Sequence, residues 1–198
     1  ARGPLNIASF LMGTTEFMMA IAMQPEPVHR MLDIITQFTI DWIAVQKEHF
    51  DTINGILLLD DLVGFLGDED IRQFAVPYIK RIYDSLDVQV RFFHNDAQGL
   101  ACAPFLKEMG VNLFNFSHDH TLQEMRDLCG PDVALLGNIP PRDVMGRGTP
   151  DEVQAHVEQA WHSIDDKTGI LWSCGGGMPQ DVSTENIRMF VEALHVLG

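Results

Sequence analysis

The sequence contains little cysteine, and the few cysteines are far apart. Cys102, Cys129 and Cys174 are the only three among 198 residues. An odd number of widely separated cysteines is not the disulfide framework on which small secreted domains depend. No signal-peptide pattern opens the chain. We therefore expect a reducing, cytoplasmic setting.

Long hydrophobic runs and basic residues are also scarce. No apolar stretch approaches the roughly 20 residues that cross a bilayer. Lys and Arg number 13 against 28 Asp and Glu, which gives a formal net charge of -15. An acidic chain is poorly suited to nucleic acid or to an anionic membrane surface, so we expect neither as a partner. No G-x-G-x-x-G or Walker sequence occurs, which weakens the case for a doubly wound nucleotide-binding fold.

The sequence does contain a regular alternation of strand and helix patterns. Such an alternation predicts parallel strands joined by right-handed crossovers. The predicted strands span residues 5–11, 56–59, 88–93, 111–116, 132–136 and 169–173. Six strands leave two architectures open, because a (β/α)8 barrel needs eight strands and about 250 residues. The chain is either an open α/β sheet or a barrel without its first units. The sequence does not start with Met and leads at once into a predicted strand, which suggests that it begins inside a larger domain.

Several predicted helices contain residues that cap or interrupt a helix. Pro77 should kink or open the helix over residues 68–86, and Thr149 should cap a helix that starts at Pro150. Ser183 should cap the final helix. In the long helix over residues 28–50, helical spacing predicts a buried stripe that consists of Met31, Ile34, Ile35, Phe38, Trp42 and Val45.

Polar side chains follow the predicted strands repeatedly, at the point where each strand ends. These residues are Asp60, Asp61, His94, Asp96, His118, Asp119, Asn138 and Cys174. In α/β proteins ligands bind at the carboxyl ends of parallel strands. The distribution therefore favours the mouth of a barrel over an open sheet.

The stretch 88–99 is the most informative of these strand ends. A buried apolar strand runs directly into His94-Asn95-Asp96, and a small-residue turn follows. With a period of two residues, His94 and Asp96 point to the same side. The plainer interpretation is that Asn95 or Asp96 caps the next helix beside a structural histidine.

A catalytic metal of the zinc type needs N, S or O ligands and one open position. His94, Asp96 and Cys174 could supply one ligand of each kind, and His118 or Asp119 could contribute from another strand. Simpler interpretations stay open. Cys174 could be a small buried residue before a glycine-rich turn, His118 and His120 could be solvated, and Asp60 and Asp61 could orient a substrate or belong to a loop.

Five stretches together resemble the uroporphyrinogen decarboxylase superfamily, which also holds cobalamin-dependent methyltransferases. They are PLNIASFLMGTTEF, DWIAVQKEHFDTINGILLLDDLVGFLGDEDIRQFAVPYIKRIY, FFHNDAQGLACAPFLKEMGVNLFNF, LLGNIPPRDVMGRGTPDEVQAHV and GILWSCGGGMPQDVSTENIRMFVEAL. The resemblance covers almost the whole chain. It implies an α/β protein with the (β/α)8 TIM barrel fold, with residues 1–198 forming the later part of one such domain and the site at the carboxyl face.

The decarboxylase branch, which serves porphyrin biosynthesis, matches the sequence less well. Its arginine-rich substrate motif and essential aspartate belong to a part of the barrel that has no counterpart here. The helix expected to carry its tyrosine, residues 16–23, has none. The Gly-His-Gly motif of that branch aligns with Gly175-Gly176-Gly177, so its histidine is missing.

The methyltransferase branch binds zinc with a His-x-Cys and a later Cys. His94 matches the histidine, Asp96 stands in place of the first cysteine, and Gly176 in place of the last, with Cys174 two residues away. The resemblance thus implies a methyltransferase-like enzyme that moves a methyl group between a small molecule and a corrinoid or thiol. His94, Asp96 and Cys174 would hold a metal, and Asp60 and Asp61 would join His94 and Asp96 in catalysis.

The same resemblance places His118, Asn138, Gly175 and Gly176 against the substrate. It implies a possible zinc ion, a possible corrinoid on a partner protein, and a homodimer. Two alternatives remain: a metal-free uroporphyrinogen decarboxylase, and a non-catalytic barrel fragment that binds a corrinoid protein.

Overall fold

A computed structural model of the chain describes residues 1–97 and 99–198. Gln98, in the turn predicted after Asp96, lies outside the described residues. Five strands form a single sheet: β1 (Gly55–Leu59), β2 (Val90–Asn95), β3 (Leu113–Phe116), β4 (Ala134–Ile139) and β5 (Ile170–Cys174). Every neighbouring pair is parallel, and the spatial order β1-β2-β3-β4-β5 is the order of the sequence.

This singly wound order confirms the α/β prediction and defines a partial (β/α)8 barrel. A doubly wound sheet would reverse its strand order at a switch point, and this sheet has none among the described strands. The side chains of Leu58, Phe93 and Phe114 point outward and are fully buried under helices. The alternate positions, His94 and Asn115 among them, pair in register on the inner face. Because β1 and β2 are paired in parallel, their carboxyl ends lie next to each other on the same side of the sheet.

Ten α-helices lie among the described residues. They are α1 (Pro4–Met12), α2 (Thr14–Met23), α3 (Pro25–His49), α4 (Asp68–Asp70), α5 (Val76–Asp84), α6 (Gly99–Cys102), α7 (Leu106–Met109), α8 (Leu122–Cys129), α9 (Pro150–His162) and α10 (Thr184–Leu197). Two π-helical turns, Ile71–Ala75 and Pro141–Gly146, and two 3-10 segments, Asp61–Phe65 and Ala103–Phe105, complete the connections. The π turn before α5 confirms the predicted opening near Pro77.

The first predicted strand is wrong, because residues 4–12 form helix α1. Pro4 occupies the first helical turn, where its missing N–H costs nothing. The backbone N–H groups of Leu5 and Asn6 donate to the two carboxylate oxygens of Asp60 at 2.9 and 3.0 Å. The strand-like contact lies just before this segment, where Arg2 forms an isolated parallel bridge to Leu59.

The predicted buried stripe of α3 is also wrong at four of its six positions. Ile34, Phe38, Trp42 and Val45 are 72%, 66%, 53% and 46% exposed. The helix instead buries the face that carries Val28, Leu32, Ile35, Thr36, Thr39 and Ile43. It has apolar side chains on more than one face, so spacing alone could not indicate which face meets the core.

Among the described residues, no single helix has the length and hydropathy to cross a membrane. Only α1 and α2 taken together reach those values, and the pair is bent by 110°.

The predicted start of α9 is confirmed in full. Thr149 Oγ1 accepts the backbone N–H of Glu152, and the Glu152 carboxylate accepts the backbone N–H of Thr149. We expect Thr149→Ala to lower the free energy of unfolding by about 1 kcal/mol, the usual cost of losing such a cap. Chemical denaturation of the two proteins measures this difference. An unchanged midpoint and slope would show that α9 does not need the cap.

Candidate metal and substrate site

Three ionisable side chains converge where β1 and β2 end. Asp61 follows β1, His94 lies at the end of β2, and Asp96 comes two residues later. One ligand atom from each lies within 4.8 Å of the other two. His94 Nε2 and Asp96 Oδ2 are 3.6 Å apart. The predicted pairing of His94 with Asp96 is therefore present, and Asp61 completes what we call the Asp-His-Asp group.

Asp61 carries the strongest sign of an unsatisfied site. Its Oδ1 atom is buried and has no hydrogen-bond partner among the described residues. Burial raises the pKa of Asp61, and repulsion from the Asp96 carboxylate raises it further. His94, the backbone N–H of Asp96 and the side chain of Asn6 act in the opposite direction. A buried carboxylate oxygen without a partner is costly, and a cation or a proton between these groups would relieve that cost.

Asn115, which the sequence analysis did not single out, contacts the histidine directly. Its Oδ1 lies 2.7 Å from His94 Nδ1. The side-chain amide also donates to the backbone carbonyls of Leu136 and Cys174. Asn115 is in register with His94 on the adjacent strand and is 4% exposed. The available signal was a polar residue at an inward position of an otherwise apolar strand.

Asp60 faces away from the Asp-His-Asp group. It is completely buried, and both of its carboxylate oxygens accept backbone N–H groups at the start of α1. Burial raises the pKa of Asp60 to about 8, although the hydrogen bonds from Leu5 and Asn6 act in the opposite direction. Of the predicted catalytic pair Asp60 and Asp61, the structure brings only Asp61 to the histidine.

The glycines after β5 leave room for the group. A Cβ atom on Gly176 would lie 2.8 Å from Asp96 Oδ2, and the residue has a φ of +104°. A Cβ on Gly175 would lie 2.6 Å from the backbone nitrogen of His118. Any side chain at Gly176 would be strained and would press on the Asp96 carboxylate. These two predicted substrate positions are thus adjacent to Asp96 and His118 respectively.

One cavity adjoins the group, and a second shares lining residues with it. One of about 300 Å³ is lined by Asp96, His118 and Gly175 and has Arg142 on its wall. A second, of about 270 Å³, is lined by His118, Asp119 and Asn138, the first two of which it shares with the first cavity. Of the predicted substrate residues, His118 and Gly175 line the same cavity as Asp96, and Asn138 lines the second.

Cys174 is not part of the Asp-His-Asp group. Its thiol is buried, and burial raises its pKa to about 11, so the thiolate form is disfavoured. Its backbone carbonyl, rather than its sulfur, links to the site through Asn115 at 3.1 Å. The structure thus supplies a carboxylate, from Asp61, as the third candidate ligand beside His94 and Asp96.

Comparison with known proteins places this geometry in a family. The sequence pattern of the family described as "Uroporphyrinogen decarboxylase (URO-D)" matches residues 1–197. The chain belongs to the uroporphyrinogen decarboxylase family. Relatives in this family are named for two reactions, decarboxylation and methyl transfer.

Two curated relatives represent these reactions. A uroporphyrinogen decarboxylase from Pseudoalteromonas translucida is 25% identical over 180 residues, which are 87% of this chain and 49% of the relative. A methylated-thiol–coenzyme M methyltransferase from Methanosarcina mazei is 24% identical over 193 residues, 96% of this chain and 50% of the relative. The chain thus spans about half the length of the curated relatives it matches. Identity at this level does not separate the two reactions.

A solved structure of a methyltransferase from Methanosarcina mazei has the same fold. It superimposes with a TM-score of 0.84 at 20% identity and covers 98% of this chain and 57% of its own. The likeness confirms the partial barrel.

Proposed function

We propose that this site performs metal-assisted methyl transfer between a small molecule and a corrinoid or thiol. The observation that carries the proposal is the Asp-His-Asp group, in which Asp61 Oδ1 is buried and has no hydrogen-bond partner among residues 1–97 and 99–198. Resemblance to a methyltransferase in sequence and in fold supports it.

The side chains fit a divalent cation. One imidazole nitrogen and two carboxylate oxygens are a ligand set that zinc accepts in catalytic sites, with a further position open to substrate. The set is harder than one built on thiolates, so it should hold zinc less tightly and discriminate less against manganese or iron. Asp61, His94 and Asp96 would hold the ion.

A bound zinc ion would lower the pKa of a substrate thiol, so that the thiolate is present at neutral pH. The chain's own residues set the surroundings. Gly176 leaves space beside Asp96, and the cavity lined by His118 and Arg142 offers room for the remainder of a small substrate. The methyl group would come from, or go to, a corrinoid on a partner protein.

Decarboxylation of a porphyrinogen is the second candidate, because several curated relatives are named for it. Its substrate carries many carboxylates and needs several cations. The cavity beside Asp96 holds three carboxylates, Asp96, Asp119 and Asp143, against the single guanidinium of Arg142. That balance of charge favours methyl transfer.

The test is a methylcobalamin assay on zinc-loaded and zinc-free protein. A thiolate that attacks the cobalt-bound methyl group gives a thioether and cob(I)alamin, which absorbance detects. We expect thiol-dependent conversion only with zinc bound. No methyl transfer by zinc-loaded protein would overturn the proposal. Turnover of uroporphyrinogen by the same protein would then favour decarboxylation, and no turnover would favour a non-catalytic role.

A further inference from the structure

The amide of Asn115 has only one orientation that its neighbours accept. Its Nδ2 atom lies 2.6 Å from the carbonyl oxygen of Leu136 and 3.1 Å from that of Cys174. A carbonyl oxygen can only accept a hydrogen bond, so both positions require the NH2 end of the amide. The Oδ1 end must therefore face His94.

This orientation fixes the position of the proton on His94. Asn115 Oδ1 carries no hydrogen, and it lies 2.7 Å from His94 Nδ1. The bond forms only if Nδ1 carries the proton, and in a neutral imidazole the other nitrogen is then bare. His94 Nε2 is the nitrogen that faces Asp96 Oδ2 at 3.6 Å.

We propose that Asn115 is a positioning residue that locks His94 in the Nδ1–H tautomer and presents the Nε2 lone pair to the Asp-His-Asp group. The inference rests on the proposed function in so far as a metal uses that lone pair. A bare nitrogen beside two carboxylates is unfavourable by itself and becomes favourable when a cation lies between them. Metal-binding histidines generally donate their second ring N–H in this way, and loss of such a partner typically weakens metal binding by about 10–100-fold.

Burial and register make the arrangement rigid. Asn115 pairs with His94 on one side and Leu136 on the other, within the parallel sheet. With 4% of its surface exposed, water cannot replace its three hydrogen bonds. The tautomer is therefore set by the sheet itself, before any ion binds.

Long-range 15N NMR of the zinc-free protein, at a pH where the ring is neutral, reads the tautomer directly. The His94→Gln spectrum identifies the His94 signals among those of the eight histidines. We expect a protonated Nδ1 and a bare Nε2 in the wild type. In Asn115→Leu we expect the Nε2–H form, which can donate to Asp96, and zinc affinity about 10–100-fold lower in competition with a chelating indicator.

Asn186→Leu is the matched control. Asn186 is also buried and also donates its amide to two carbonyls, those of Met145 and Gly148, away from this site. We expect the Asn186→Leu variant to lose stability as Asn115→Leu does, while the tautomer of His94 and the affinity for zinc stay unchanged.

An Nε2–H tautomer in the wild type would overturn the inference, even if Asn115→Leu failed to fold. So would an Asn115→Leu variant that folds and keeps both tautomer and affinity. The expected tautomer without methyl transfer would leave the positioning role standing and remove the proposed function. Methyl transfer by a protein whose His94 has the Nε2–H tautomer would keep the proposed function and remove the positioning role of Asn115.

Discussion

Replacement of His94 with alanine is expected to abolish zinc retention. His94 is the only nitrogen ligand in the Asp-His-Asp group, and two carboxylates alone form a site better suited to harder, more weakly held ions. Loss of a direct ligand should exceed the roughly 10–100-fold penalty that follows loss of a supporting residue. After dialysis, elemental analysis should therefore find zinc near one equivalent in the wild type and close to none in the variant.

Two further variants sharpen this measurement. His195→Ala removes an exposed histidine in the last turn of α10 and should retain full zinc content. Asp96→Cys adds a softer ligand and should tighten zinc binding. Full zinc content in His94→Ala would show that the ion binds elsewhere. An Asp96→Cys variant with unchanged affinity would show that Asp96 does not contact it.

The sequence predicted that His94 and Asp96 lie together because both belong to one strand end. The period of two in an extended chain is a local property, so their common direction follows without knowledge of the fold. The choice between Asp60 and Asp61 could not be made in the same way. Consecutive residues at the end of a strand point to opposite sides, and only the packing of α1 shows that Asp60 meets the helix while Asp61 meets the histidine.

Asn115 escaped prediction for a related reason. Its role depends on the register between β2 and β3, which the sequence of neither strand specifies. Across the fold, the alternation of strands and helices predicted the parallel sheet. Residues 5–11 were mistaken for a strand because short apolar runs suit either state. A distant carboxylate, that of Asp60, 55 residues later than Leu5, accepts the first N–H groups of the helix, and the local sequence gives no sign of it.

Removal of the Asp60 carboxylate is expected to cause the largest loss of stability of any change considered. Asp60→Leu leaves the N–H groups of Leu5 and Asn6 buried without acceptors, at about 1–3 kcal/mol for each. Asp60→Asn keeps one acceptor and should cost roughly half as much. Such a loss is a large part of the roughly 5–15 kcal/mol that stabilises a typical domain.

The contribution of Asp60 should also depend on pH. Because burial raises its pKa to about 8 from an ordinary value of 3.8, the folded protein holds a proton that the unfolded chain releases between these two values. The unfolded state then binds fewer protons, so the stability that Asp60 contributes falls as pH rises from about 4 to about 8. Asp60→Asn cannot titrate, and its deficit relative to the wild type should shrink over the same interval.

Chemical denaturation of zinc-free protein at several pH values measures both effects. Asp87→Asn, which neutralises an exposed carboxylate, is the matched control and should follow the wild type throughout. If the deficit of Asp60→Asn stays constant from pH 4 to pH 8, the carboxyl group is ionised throughout and the hydrogen bonds from α1 at least balance its burial. If the deficit grows with pH, the folded pKa lies below the unfolded value and the N-terminus of α1 holds Asp60 as a stable anion.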